Sequence, residues 1–108
     1  MKKIRIQDTE LEVSNLVMGC MRISDLSDRE LEELTDTYLS EGVNFIDHAD
    51  IYGGGACETA FGKLLKRKPE LREQICLQSK CGIREEYYDF SKDHILKSVD
   101  GILKRLNT

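Results

Sequence analysis

Gly42-Val43-Asn44-Phe45-Ile46-Asp47-His48-Ala49-Asp50-Ile51-Tyr52-Gly53 decides how this chain is read. A glycine able to end a helix is followed at once by a short apolar run, Val43 to Ile46, and the run closes on a carboxylate. That pattern predicts a buried strand that delivers Asp47 to its C-terminal end. Tyr52 follows in the loop that leaves the strand. The next apolar run, Ile75-Cys76-Leu77-Gln78-Ser79, predicts another strand with Lys80 at its exit. If the two strands are parallel neighbours, Asp47, Tyr52 and Lys80 meet at one rim. A tyrosine held between a carboxylate and an ammonium group is a candidate proton donor.

Working outward, Lys3 to Ile6 and Leu11 to Val13 flank Gln7-Asp8-Thr9-Glu10 and predict a β-hairpin with a polar turn. Leu16-Val17-Met18-Gly19 predicts a buried strand that stops at glycine. Ser27-Asp28-Arg29-Glu30 fits a capping box, opening a helix with Leu31, Leu34, Tyr38 and Leu39 on its apolar positions. Gly42 ends it. A second helix runs from Ala56 to Lys66, with Ala60, Phe61, Leu64 and Leu65 on one face. Ser91 caps a third, which carries Ile95, Leu96, Val99, Ile102, Leu103 and Leu106 at helical spacing. Strands alternating with helices imply a parallel sheet with right-handed crossovers. In such sheets ligands bind where strands end.

Composition sets the class. The chain has 108 residues, 40% hydrophobic and 33% charged, with a net charge of −4, as in an ordinary globular domain. Its basic run, Lys66-Arg67-Lys68, sits at a predicted helix end, where cations favour the helix dipole, and it is too short for a nucleic-acid patch. No apolar run is long enough to cross a bilayer, and Met1-Lys2-Lys3-Ile4-Arg5-Ile6 lacks the apolar core of a signal peptide, so a cytoplasmic location is expected. Four cysteines, Cys20, Cys57, Cys76 and Cys81, and two histidines, His48 and His94, offer no zinc-type spacing. The thiols read as reduced and mostly buried. Cys81, beside Lys80, is a weaker candidate for a reactive thiolate.

One feature does not close. Three β-α units are too few for a barrel, which takes eight strands and about 250 residues. An open parallel sheet leaves bare edges that invite association. The third helix ends at Leu106-Asn107-Thr108, where a fourth strand is expected.

Phe45-Ile46-Asp47-His48-Ala49-Asp50-Ile51-Tyr52-Gly53 with Glu58, and Ser79-Lys80-Cys81-Gly82, resemble the aldo-keto reductase superfamily. Leu11-Glu12-Val13-Ser14 leading to Met18-Gly19, and Leu103-Lys104-Arg105-Leu106, resemble it in the same order. The resemblance implies an α/β fold: an N-terminal β-hairpin (1–13) followed by three β-α units (14–108) of an incomplete TIM (β/α)8 barrel, with no separate second domain. It also implies reduction of a small-molecule carbonyl by hydride from NADPH. That family uses a tetrad of aspartate, tyrosine, lysine and histidine. Asp47, Tyr52 and Lys80 match three of them, and the histidine belongs at the end of the fourth strand; His94 precedes that strand and is no substitute.

On this resemblance Tyr52 gives the proton, Lys80 favours its phenolate, and Asp47 pairs with Lys80 and contacts the nicotinamide ribose. Gly19, Cys20 and Met21 resemble the segment against the nicotinamide, although a hydroxyl residue is common where Cys20 stands. His48 stands where a smaller hydroxyl residue is frequent, and packs or hydrogen-bonds locally. Glu58 reads as a loop brace, and Gly53-Gly54-Gly55 as a flexible turn, since the dinucleotide fingerprint is missing. The chain alone is expected to be inactive and to need a C-terminal complementing chain. The competing reading is a non-catalytic truncated barrel that serves as an association or oligomerisation module.

Overall fold

The computed structural model describes residues 1–108, and its elements follow the predicted order with shorter strands. β1 (Lys3–Arg5) and β2 (Glu12–Ser14) form an antiparallel hairpin. β3 (Val17–Gly19), β4 (Phe45–Asp47) and β5 (Cys76–Gln78) form a parallel sheet in the order β3-β4-β5, in a register that aligns Met18, Ile46 and Leu77. α1 (Asp28–Ser40), α2 (Ala56–Arg67) and α3 (Lys92–Leu106) are the other long elements. Both outer edges of the three-stranded sheet, on β3 and on β5, carry no further strand.

Local chemistry explains each boundary. The capping box forms as read: Glu30 N–H donates to Ser27 Oγ at 3.1 Å, and Ser27 N–H donates to Glu30 Oε2 at 3.2 Å. Val43 and Asn44, expected in β4, precede it. The Asn44 side chain instead brackets the hairpin, accepting from Ser14 N–H at 2.8 Å and donating to Glu12 O at 3.2 Å. Each of Gly53, Gly54 and Gly55 takes a positive φ (60°, 63° and 98°), a left-handed path that L side chains avoid. That path turns the chain from Tyr52 into α2.

The core lies on one side of the sheet, where Met18 and Ile46 meet Leu31, Phe61, Leu64, Leu65 and Leu106. α2 and α3 approach so closely at Gly62 that a Cβ there would sit 1.9 Å from Arg105 O. Asn107 locks the crossing, donating from Nδ2 to Gly62 O at 2.9 Å. The basic run at the end of α2 is spent on α1: Lys68 Nζ lies 3.0 Å from Asp36 Oδ1, and Arg67 faces Asp28 and Glu32. No helix is long and apolar enough to cross a membrane.

Candidate active site

The exits of β4 and β5 bring together the three residues singled out from the sequence. Asp47 closes β4, and its carboxylate is partly exposed on the side of the sheet away from α2. Lys80 Nζ donates to Asp47 Oδ1 at 2.6 Å and to His48 O at 2.6 Å. The same Nζ lies over the Tyr52 ring, 5.2 Å from its centroid. Partial burial works against the lysine charge, but the hydrogen bond and charge of Asp47 outweigh it, and Tyr52 adds to the effect. The pKa of Lys80 is therefore raised, and the amine stays an ammonium.

Gln78 is a site residue that the sequence reading missed. Its Nε2 donates to Asp47 Oδ1 at 2.5 Å, so one carboxylate oxygen takes both side-chain bonds. The available signal was strand alternation: Gln78 stands two residues before Lys80 and shares its face. Oδ2 of Asp47 takes no side-chain hydrogen bond from the protein.

β3 supplies a less complete match. Gly19 is exposed, with nothing within 4 Å of where a Cβ would sit, and Met21 is 54% exposed. Cys20 departs from expectation. It has no exposed surface, lies in the core with Cys57, and offers no side chain to a rim-bound ligand. Burial, with Asp47 and Cys57 nearby, pushes its thiol up to about 12. Its backbone N–H donates to Asp47 O at 2.9 Å and extends the β3–β4 ladder.

His48 points the opposite way from Asp47, as strand alternation requires. Its ring is fully buried, edge-on to Phe61 at 4.9 Å, and neither ring nitrogen has a partner. Burial is the main cause of its pKa falling from 6.5 to about 4, against an opposing pull from Asp47. His94, near the start of α3, pairs with Ser98 Oγ at 3.2 Å.

Tyr52 and Lys80 also line a cavity of about 230 Å³ with Ala49, Ile51, Cys81 and Ile83. A larger one, about 820 Å³, opens beside the start of α3 among Arg84, Asp89, His94 and Lys97, and touches none of Asp47, Tyr52 and Lys80. The smaller cavity is the one that adjoins the chemistry. Together the groups set a phenol and an ammonium group side by side at the rim of this cavity. No group of His, Cys, Asp and Glu side chains has the arrangement of a metal site.

The sequence pattern of the Aldo/keto reductase family matches residues 15–108. The oxidoreductase YdhF of Escherichia coli (strain K12) is 44% identical, over 99% of this chain and 39% of its own length. A 6-dehydroglucose reductase of Agrobacterium fabrum is 35% identical, over 100% of this chain and 40% of its own. Among solved structures, an aldo-keto reductase from Bacillus halodurans in its holo form superposes with a TM-score of 0.84 at 35% identity, over 100% of this chain and 37% of that one. The chain thus spans about two-fifths of the length of the relatives it matches. It belongs to the aldo/keto reductase family of oxidoreductases.

Proposed function

We propose that this chain provides the proton-donor half of an NADPH-dependent carbonyl reductase and works when the remaining β-α units of a (β/α)8 barrel complete it. The single observation that carries this reading is the Asp47–Lys80 pair at 2.6 Å with Tyr52 beside the same ammonium group. The residues present fit the nicotinamide end of the cofactor. The unpartnered Oδ2 of Asp47 can accept from a ribose hydroxyl, and the open surface at Gly19 and Met21 leaves room for a flat ring. When bound, the cofactor supplies the hydride.

The chain's own residues manage the proton. Tyr52 Oη donates to the carbonyl oxygen as negative charge develops there. Lys80 stabilises the phenolate left behind, and Asp47 holds Lys80 charged and in place. Acid catalysis of this kind contributes about 10²- to 10⁴-fold. The substrate class is a small-molecule aldehyde or ketone; no nucleic acid or membrane surface enters the reaction.

Steady-state NADPH oxidation with a generic aldehyde tests the reading in two arms. The 108-residue chain alone is expected to show none, and addition of the C-terminal portion of a relative is expected to restore it. Turnover by the isolated chain would show that the missing units are dispensable. An inactive complex that nonetheless binds NADPH would remove the proton-donor assignment.

A further inference from the structure

Glu58 is the one carboxylate in the chain with no exposed surface. It sits in the first turn of α2, and two groups from distant parts of the chain converge on it. Arg105 Nε, from the last turn of α3, donates to Oε1 at 2.8 Å, and Ser79 Oγ, just past β5, donates to Oε2 at 2.8 Å. A charge buried this fully is costly unless both oxygens are satisfied, and here both are.

The surroundings are cleared for this contact. A Cβ at Gly55 would lie 3.2 Å from Arg105 Cδ, and one at Gly101 would lie 3.0 Å from its Nη1. Glycine at both places leaves the guanidinium a channel to Glu58. A loop brace at the surface would need no such channel.

What the cluster holds is informative. Ser79 directly precedes Lys80, and β5 is an edge strand whose outer side has no ladder. On its inner side the main chain is tied by Asp50 N–H to Lys80 O at 3.0 Å and by His48 N–H to Gln78 O at 2.8 Å. Alternation sends Gln78 and Lys80 toward Asp47 and sends Ser79 toward the helices. The Ser79–Glu58 bond is therefore the side-chain tether that fixes the exit of β5 from the helix side.

We infer that Glu58, clamped by Arg105, is a positioning residue that acts through Ser79 to hold Lys80 against Asp47 and His48. The inference rests on the proposed role of Lys80, but its test needs neither cofactor nor substrate. A failure here leaves the reductase reading standing, and the reverse also holds.

The experiment is competitive acetylation of the folded 108-residue chain at fixed pH, read residue by residue by mass spectrometry. Lys80 is 46% exposed at its side chain, so the reagent reaches it, yet its amine is engaged with Asp47. Ser79→Ala keeps the Glu58–Arg105 pair, removes the tether and leaves Glu58 Oε2 without its side-chain donor. It is expected to raise Lys80 acetylation about fivefold, the effect of weakening one charge-assisted hydrogen bond, while Lys63 and Lys104 keep their rates. A purely structural role would instead raise all lysines together as the thermal midpoint falls.

Ser79→Thr, which keeps the hydroxyl, is expected to react like the parent chain, and Ser79→Val, of the same size without it, like Ser79→Ala. The Thr–Val pair decides the matter should the alanine variant not fold. Equal Lys80 rates in the parent, Thr and Val chains would overturn the inference.

Discussion

Lys80 reaches Asp47 diagonally. In the β4–β5 register Asp47 stands opposite Gln78, and Lys80, two residues further on, folds back to place Nζ 2.6 Å from Asp47 Oδ1. The ammonium thus lies beyond the last ladder rung, at the rim and over Tyr52, rather than inside the sheet. An ion pair with Lys80 46% exposed contributes little to stability. Its value is placement.

This placement predicts a split between the three side chains around Asp47. In the completed enzyme, Lys80→Met and Tyr52→Phe are each expected to lower kcat by about 10²- to 10⁴-fold, with the KM for the carbonyl changing far less. Gln78→Leu removes one of two donors to Asp47 Oδ1 and leaves Lys80 bound, so a loss nearer tenfold is expected. Steady-state kinetics on the three variants measures this. Equal losses in all three would mean that the site fails as a unit, and the separate roles would have to be abandoned.

His48 gives the fold a dependence on pH. The folded chain keeps this ring neutral down to about pH 4, because burial disfavours its cation, whereas the unfolded chain takes up the proton near its ordinary 6.5. The sign follows from the depressed value. Stability is complete above pH 6.5 and declines as the pH falls, because the unfolded state binds a proton that the folded state refuses. The loss reaches about 2 kcal/mol by pH 5. Urea midpoints between pH 7.5 and 5 are expected to fall for the parent and to stay nearly level for His48→Leu. Parallel curves would mean that another group controls the acid limb.

Gly62 marks where α2 and α3 touch. An added methyl group would meet Arg105 O at 1.9 Å and Leu106 Cα at 3.0 Å, and both are backbone atoms that cannot rotate away. Gly62→Ala is therefore expected to destabilise the chain by about 1–3 kcal/mol, even though alanine is the better helix former. Because Arg105 follows α3, the shift should also loosen its bond to Glu58. Equilibrium urea unfolding of the variant checks the sign, and a stabilised protein would mean that the two helices can part at little cost.

The order of elements, the capping box and the pairing of Asp47 with Lys80 were legible because each depends on neighbours in sequence or on adjacent parallel strands. Strand limits were less so. Asn44 has the look of a strand residue, and only the hairpin's position reveals that its amide serves Ser14 and Glu12 instead. Cys20 was expected at the rim by family habit, yet the chain turns its thiol into the core beside Cys57. Glu58 and Arg105 lie 47 positions apart, and nothing local to either signals the other. Their meeting follows from the close α2–α3 crossing, which a single glycine makes possible.

One face of the molecule leaves apolar surface open to water. Ile95, Leu96, Val99 and Leu103 leave 38–54% of their surfaces exposed on α3, and Val99 and Leu103 line a groove with Leu77 and Ser79 at the bare edge of β5. An apolar stripe beside an unpaired strand edge is a surface that gains by being covered. In the completed barrel proposed for this chain, the next β-α unit covers it. Leu96→Glu with Val99→Glu is then expected to change the urea midpoint little, since exposed substitutions typically fall within about 0.5 kcal/mol. The same pair should abolish rescue of NADPH oxidation by a C-terminal segment and shift any oligomer toward monomer. Light scattering coupled to size exclusion reads the second effect. A parent chain that stays monomeric and well folded at high concentration, with rescue untouched by the double variant, would show that this face is tolerated in water and needs no partner.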